Sequence, residues 1–253
     1  ICACLVGSEM CIRDRYKGVY ATDEDVPVNP LTGERLRMGG NTSTQAYFKA
    51  GDPIWVDVNG DYIIDEKDKV IVGNSQPRMT GGISINLRYK AFSINTNCSF
   101  TLRRDIINKA LADRFRAYGT PVAGKVNLTG SGALTPIEAY NFWTEDNIYA
   151  QYPNPFDYTR SSIIQPFRYD QTLFMEDGSY FKINGISVAY TIPKKMLDFF
   201  RISRCQLNFS MNNIYTFSKY SGINPENVNN LGYDTSGGYP NGRTVTFGVS
   251  MDF

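Results

Sequence analysis

Oxygen-bearing side chains between residues 57 and 68 have the spacing of a calcium-binding loop. Acids or amides stand at loop positions 1, 3, 5, 9 and 12, which are Asp57, Asn59, Asp61, Asp65 and Asp68. Carboxylate and amide oxygens at this spacing can wrap around a Ca²⁺ ion, and residue 63 would add its backbone carbonyl. The pattern therefore predicts a calcium site that stiffens a surface loop.

Two departures from the calcium-loop pattern leave an alternative open. Tyr62 stands at position 6, where the loop wants Gly for a sharp turn, and Asp68 replaces the usual bidentate Glu. Gly60 at position 4 could supply the turn instead. The alternative is an Asx-rich loop whose carboxylates accept hydrogen bonds from nearby backbone amides.

Aromatic side chains are frequent between residues 140 and 169, and such rings could stack on sugar rings. Trp143, Tyr149 and Tyr152 are the candidate substrate-binding residues. The alternative is that these aromatics pack the segment against itself or against a partner protein, because their spacing shows no platform.

Composition argues against several other functions. The chain has no histidine, so it lacks the usual general base and the commonest zinc ligand. It contains neither a G-x-S-x-G nor a P-loop pattern. The net charge of +1 gives no electrostatic case for nucleic acid. We therefore predict that the chain is not an enzyme, that it requires no cofactor beyond a possible Ca²⁺, and that it binds no nucleic acid.

Alternation of apolar and polar residues predicts β-strands. It is clearest at the end of the chain, where Val245, Phe247, Val249, Met251 and Phe253 share one face. A strand that crosses a bilayer needs about 9–11 residues. We predict five such strands, at about 80–89, 91–102, 179–192, 205–217 and 243–253. A change of parity at Asn184 and Gly185 predicts a β-bulge.

The connections between these strands alternate between short and long. The turns near Lys90 and from Pro193 to Arg204 are short, whereas the segments 103–178 and 218–242 are long loops. Outer-membrane barrels combine short periplasmic turns with long extracellular loops in this way. No run approaches the roughly 18 apolar residues of a membrane helix. The predicted fold is all-β, the C-terminal part of a transmembrane antiparallel β-barrel.

The first fifteen residues look foreign to the rest of the chain. Residues 7–15, Gly-Ser-Glu-Met-Cys-Ile-Arg-Asp-Arg, look like translated sequencing-adapter read-through. We interpret residues 1–15 as a non-native segment, residues 16–79 as an extracellular loop region carrying the calcium-loop motif, and residues 80–253 as barrel strands with long loops.

Four ordered segments resemble the C-terminal end of SusC/RagA-type TonB-linked outer-membrane transporters. They are Gly51–Asp61 with Ile71–Asn74, Gly178–Asn184 with Ala189–Lys195, Asn212–Gly222 with Asn224–Glu226, and Gly237–Pro240 with Arg243–Gly248. The resemblance covers residues 16 to 253 and implies that this chain is a fragment of a plugged barrel of about 22 strands in a Gram-negative outer membrane.

What the resemblance implies for function is import of glycans or other oligomeric nutrients. The energy would come through TonB, which contacts parts missing here, and a SusD-like surface lipoprotein would be the partner. Phe253, with Met251, Val249 and Phe247 on the lipid-facing register, would be the signal that the barrel-assembly machinery reads.

Two further hypotheses from other classes stay open. One is a soluble, calcium-stiffened β-sandwich that binds carbohydrate on its aromatics. The other is a secreted glycan-degrading enzyme domain, which the missing acid/base constellation disfavours.

Overall fold

A computed structural model describes residues 10–40, 44–118, 139–157, 160, 162–197, 202–234 and 241–252. Within these residues, no helix has the length and apolar character needed to cross a membrane. The elements are β1 (Met10–Arg13), β2 (Tyr16–Val19), β3 (Arg37–Met38), β4 (Pro53–Trp55), β5 (Ile63–Ile64), β6 (Val70–Asn74), β7 (Met79–Tyr89), β8 (Phe92–Leu102), β9 (Asp105–Ile107), α1 (Lys109–Tyr118), β10 (Met175–Asp177), β11 (Tyr180–Thr191), α2 (Lys194–Leu197), β12 (Arg204–Ser218) and β13 (Thr244–Asp252).

The chain divides into two compact units, which are described separately. The first takes in residues 1–75, 106–176 and 227–238, and the second takes in 76–105, 177–226 and 239–253. The second unit contains a five-stranded sheet in the order β13-β12-β11-β8-β7. All four pairings are antiparallel. Each observed strand lies within one residue of its predicted range at both ends, because uninterrupted alternation marks a strand clearly.

A β-bulge interrupts the middle of the sheet. The register of β11 shifts between Ile183 and Gly185 against both of its neighbours. Against β8 the extra residue is Asn184, whereas against β12 the single residue Asn184 stands opposite Asn213 and Ile214. The shift restores the apolar parity after residue 185, as predicted from the sequence. On β12 the same interruption contains Asn213, whose φ of 55° lies in the left-handed region.

The first unit is built around two hydrophobic clusters and short two-stranded pairings. β1 pairs with β6 and β2 with β4 in antiparallel fashion, whereas β3 and β5 are parallel. One cluster consists of Tyr20, Val26, Leu36, Phe48, Trp55, Ile64 and Ile164. The other consists of Ile107, Ala112, Phe115, Phe142, Phe167, Phe174 and Tyr233.

A buried ion pair joins distant segments of the first unit. Arg160 donates to both carboxylate oxygens of Asp52, and it donates a third hydrogen bond to the carbonyl of Tyr47 at 2.6 Å. Both charged side chains are almost fully buried. Burial raises the pKa of Asp52, and the guanidinium of Arg160 opposes that shift. The pair therefore holds residue 160 against the segment 47–52.

The long connections are more ordered than the predicted loops. The segment predicted as loop 103–178 carries β9, α1, β10 and most of the second hydrophobic cluster. The predicted loop region 16–79 supplies most of the first cluster. The sequence did not predict this packing, because short strands and 3₁₀ turns give no clear period of apolar and polar residues.

The described part of the N-terminal segment takes part in this unit. β1 pairs with β6, and Asp14 is buried against Arg168. Residues 1–9 lie outside the described residues. The adapter origin of residues 1–15 stays a prediction, which sequencing of genomic DNA across the codons of Arg15 and Tyr16 tests.

Candidate functional site

A row of polar side chains crosses all five strands of the sheet. Its members are register partners from one strand to the next: Asn86, Asn95, Ser187, Ser210 and Thr246. The next row on the same face holds Ser84, Asn97, Gly185, Asn212 and Thr244. These side chains are neutral, and their amides and hydroxyls can donate and accept hydrogen bonds. The centre of this face is therefore wettable but uncharged.

The opposite face of the sheet is apolar. One row across the five strands is Leu87, Ile94, Val188, Phe209 and Phe247. Leu87 and Phe247 have 60% and 67% of their surface exposed. A contiguous exposed apolar surface of this kind marks contact with a membrane or a protein.

The residues predicted as the assembly signal fall on the apolar face. Phe247, Val249 and Met251 are register partners of Phe209, Leu207 and Cys205, and all three are exposed. Phe253 lies outside the described residues. Their role in assembly stays a prediction.

Charged groups gather at the end of the polar face where β8 ends and β11 begins. Lys182 of β11 forms an ion pair with Glu226, and Arg104 donates to the carbonyl of Pro225. The amide of Glu226 in turn donates to Asn224 Oδ1 at 2.9 Å. Burial lowers the pKa of the Arg104 guanidinium, although it stays charged at neutral pH. This charged group fixes the segment 224–226 to the sheet.

Lys182 and Glu226 lie in separate motifs of the sequence, and no sequence pattern connects them. A signal for Lys182 was present, since a lysine on the polar parity of a bilayer-length strand needs a partner or water. No signal identified Glu226, because its position depends on how the chain folds after β12.

The five residues of the predicted calcium loop lie along one segment that includes β5, and their oxygens accept hydrogen bonds from backbone amides. Asp57 accepts hydrogen bonds from the amides of Gly60 and Tyr62 at 2.7 and 2.8 Å. Buried Asp68 accepts from the amides of Val58 and Asp65, both at 2.9 Å. The structure therefore shows the geometry of the Asx-rich alternative.

The remaining ligand candidates behave in the same way. Asn59 accepts from the amide of Asp61, Asp61 from that of Ile63, and Asp65 from that of Lys67. Over the described ranges, no three or more His, Cys, Asp or Glu residues form a group that could hold a metal ion. Calcium binding is left as a prediction that the observed geometry does not favour.

The three candidate substrate-binding aromatics do not form one platform. Trp143 is 9% exposed, and its indole Nε1 donates to the carbonyl of Ala21 at 3.3 Å. Tyr152 packs edge-on against Phe115, with ring centres 5.0 Å apart. The burial of Trp143 favours the packing alternative for this residue, and sugar binding by the three aromatics stays a prediction. Tyr149 alone is open, at 84% exposure.

These features define a class of protein. Strands of 9 to 15 residues, an exposed apolar face and a polar face with an uncharged centre are typical of an antiparallel sheet that crosses an outer membrane. No protein-family model matches the chain.

Curated relatives of the chain are TonB-dependent receptors. The chain is 29% identical over 253 residues to the TonB-dependent receptor P3 of Formosa agariphila, covering 94% of this chain and 21% of that receptor. It is 23% identical over 241 residues to the TonB-dependent receptor SusC of Bacteroides thetaiotaomicron, covering 87% of this chain and 21% of SusC.

Solved structures show the same fold. The RagAB peptide transporter superposes with a TM-score of 0.65 and 16% identity, covering 99% of this chain and 24% of the matched chain. The RagAB peptide importer in its open-open state gives a TM-score of 0.58 and 17% identity, with the same coverage.

The chain is therefore similar over most of its length to TonB-dependent receptors, SusC among them. It spans about a fifth of the length of the curated relatives it matches.

Proposed function

We propose that the intact protein imports oligomeric nutrients through the outer membrane with energy supplied through TonB, and that this chain forms the C-terminal strands of its barrel. The observation that carries the proposal is the pair of rows across the sheet, apolar from Leu87 to Phe247 and polar from Asn86 to Thr246. Such a sheet is stable where lipid covers one face and water the other.

Closure of the barrel needs strands outside this chain. β7 and β13 each pair on one side only within the described sheet. An open strand edge in lipid leaves backbone amides without partners, so membrane sheets close on themselves. We infer that β7 and β13 pair with strands of the complete barrel that lie outside the described sheet.

The polar face favours a substrate that is uncharged and has many hydrogen-bonding groups. A glycan is the first candidate. Its two central rows hold only Asn, Ser, Thr and Gly. The RagAB neighbours are described as peptide importers, so peptides are the competing substrate. We also propose a SusD-like surface lipoprotein as partner, supported by the similarity to SusC and RagAB.

The other two hypotheses receive less support. A β-sandwich would bury its apolar face against a second sheet, whereas Leu87, Phe247 and their row neighbours are exposed. An enzyme domain finds no support in the relatives, which are named as receptors. We therefore propose no catalytic role for this chain.

A matched pair of arginine substitutions tests the membrane assignment. Val249→Arg places a charge on the apolar face, and Ser250→Arg places it on the polar face one residue away. A charge facing lipid costs about 2–4 kcal/mol near the bilayer centre. We expect the full-length Val249→Arg receptor to be depleted from the outer-membrane fraction, while Ser250→Arg inserts normally. Equal insertion of both variants, or a soluble wild type, would contradict the proposal.

Uptake assays test the substrate. Cells that produce the full receptor and its lipoprotein partner should accumulate labelled oligosaccharides, and should lose that uptake when the TonB protein is removed. Uptake of labelled peptides but not of any oligosaccharide would show that the substrate is a peptide and not a glycan. The membrane assignment would be unaffected.

A further inference from the structure

β12 is longer than the edge strand beside it, and a cavity of about 180 Å³ lies along its uncovered end. Within the described sheet, β12 pairs with β13 as far as Asn212, whereas against β11 it continues to Ser218. Residues 213–216 of β12 form one wall of the cavity. Residues from the segments 223–226 and 241–243 form the other walls.

Hydrogen bonds and an ion pair hold these walls in place. Asn213 donates from Nδ2 to the carbonyls of Asn241 and Gly242, at 2.8 and 3.2 Å. On the other side of the cavity, the ion pair between Glu226 and Lys182 attaches the connection after β12 to the sheet. The walls are therefore fixed by contacts within the protein, which keeps the ordering cost of binding a ligand small.

Several polar groups that line the cavity lack partners in the described protein. Asn224 is 6% exposed, and its Oδ1 accepts from the amide of Glu226, but its Nδ2 donates to no residue that the structure describes. The guanidinium of Arg243 and the side-chain amide of Asn241 are exposed, and neither bonds to a residue in the described ranges. Buried polar groups are nearly always hydrogen-bonded, so the Asn224 amide requires a partner inside the cavity.

The size and chemistry of the cavity suit one small unit with many hydroxyl groups. Its volume lies below the range of about 300–1,000 Å³ that is usual for ligand pockets, so it holds a single unit and not a chain. The amides of Asn224 and Asn241 both donate and accept, and Arg243 donates. Ile214 and Ile223 add apolar surface, against which the C–H groups of a sugar ring can pack.

We propose that this cavity binds one monosaccharide unit of an oligosaccharide on the polar face of the sheet. The inference rests on the proposed function, in which a glycan is the first candidate substrate. Thr216 of the cavity wall is the register partner of Lys182, so the cavity lies on the polar face. A peptide is the alternative occupant. It presents fewer hydrogen-bonding groups in the same volume, so it would leave some of the cavity donors without partners.

Saturation-transfer NMR on the full-length receptor in detergent tests the inference. The probes are methyl glucoside, methyl galactoside and methyl N-acetylglucosaminide. We expect saturation transfer to at least one glycoside, about ten-fold weaker binding by Arg243→Met, and about five-fold weaker binding by Asn241→Ala. The second variant keeps the backbone carbonyl that Asn213 binds, so the wall should stay in place.

Arg88→Met is the matched control. It removes another exposed arginine, which lies near the opposite end of the sheet, beside the turn that joins β7 to β8. The control should bind each glycoside as the wild type does.

Three outcomes would overturn the inference. They are no saturation transfer in the wild type, equal binding by Arg243→Met and Arg88→Met, and displacement of the glycoside by trialanine at equal concentration, which would indicate a peptide site. Outer-membrane fractionation and oligosaccharide uptake by the same proteins test the proposed function separately. A receptor that inserts and takes up oligosaccharide with any of the three outcomes refutes the cavity assignment alone, whereas a receptor that fails to insert overturns the proposed function.

Discussion

Lys182 and Glu226 stand 44 residues apart in the chain and form an ion pair in which Nζ lies 2.5 Å from Oε2. Lys182 belongs to a strand of the sheet, whereas Glu226 belongs to the connection that follows β12. The side chains are 11% and 22% exposed, so the pair is largely removed from water. It determines where the start of the long connection is attached to the polar face.

Loss of either partner should detach this segment. We expect Lys182→Met and Glu226→Gln each to lower the free energy of unfolding of the receptor in detergent by about 1.5–3 kcal/mol. The loss of stability in the double variant should be smaller than the sum of the two single losses, because both substitutions remove the same interaction. The pair Lys49–Asp157, also 2.5 Å apart, is the control; its Lys49 side chain is 45% exposed, so the pair should contribute only about 0.2–1 kcal/mol. Additive losses at residues 182 and 226 would show that the pair is not coupled.

The alternation of residues predicted the five strands and the bulge, but it could not predict this attachment. Side-chain period determines which residues share a face, as with Leu207 and Phe209 on β12. It carries no information on the path of the chain after residue 218. The partner of Lys182 therefore became visible only in the structure.

The same limit applies to the aromatic residues of the first unit. The sequence showed that Trp143 and Tyr152 stand in an aromatic-rich segment, and it left both stacking and packing open. Packing prevails because Phe115 of α1 supplies a centre for edge-to-face contacts with Tyr140, Phe142, Tyr152 and Phe167, at 4.8, 4.9, 5.0 and 5.4 Å. Helix α1 lies in a segment predicted to be loop, so this centre was not anticipated.

Gly51 should be intolerant of a side chain. Its φ is +83°, and a Cβ there would lie 2.8 Å from Cε3 of buried Trp143. We expect Gly51→Ala to combine backbone strain with a clash and to destabilise the first unit more than Gly60→Ala does. Gly60 has a similar φ of +74° but open space around the added Cβ, so it should show the backbone cost of about 1–2 kcal/mol alone. Hydrogen exchange of the first unit measures both, and equal effects would rule out the clash.

Asp14 should make stability depend on pH. Burial raises the pKa of its carboxyl to about 6, although Arg168 Nη2 lies 2.6 Å from Oδ2 and opposes the shift. Because the unfolded pKa is 3.8, the folded state holds the proton more tightly between about pH 4 and 6. The contribution of Asp14 to the free energy of unfolding is therefore fully present below about pH 4 and is lost as the pH rises to about 6.

The matching experiment compares the receptor with its Asp14→Asn variant over this pH range. The wild type should lose stability relative to the variant by at most about 1.4 kcal/mol for each pH unit. Asp52 also has a raised pKa and Asp170 a lowered one, so only the difference between the two proteins isolates Asp14. Parallel pH profiles would show that the Asp14 pKa is not raised.

Asp68 separates the two interpretations of the Asp-rich loop. Its carboxylate joins the start of the loop to its end by accepting from Val58 and Asp65. If the loop is held by such bonds, Asp68→Ala should destabilise it by about 1–3 kcal/mol with or without calcium, since two partly buried backbone amides lose their acceptor. Calorimetric titration of the wild-type receptor with Ca²⁺ should then give no binding heat.

If the loop binds calcium, the same titration should show a site that Asp61→Ala removes. Asp61 is exposed and accepts only local bonds, from the amide of Ile63 and from Asn59 Nδ2. Its loss should therefore affect stability little in the absence of metal. A binding heat abolished by Asp61→Ala would establish the metal site. We expect the opposite result, because the carboxylate oxygens that would face the ion already accept backbone hydrogen bonds.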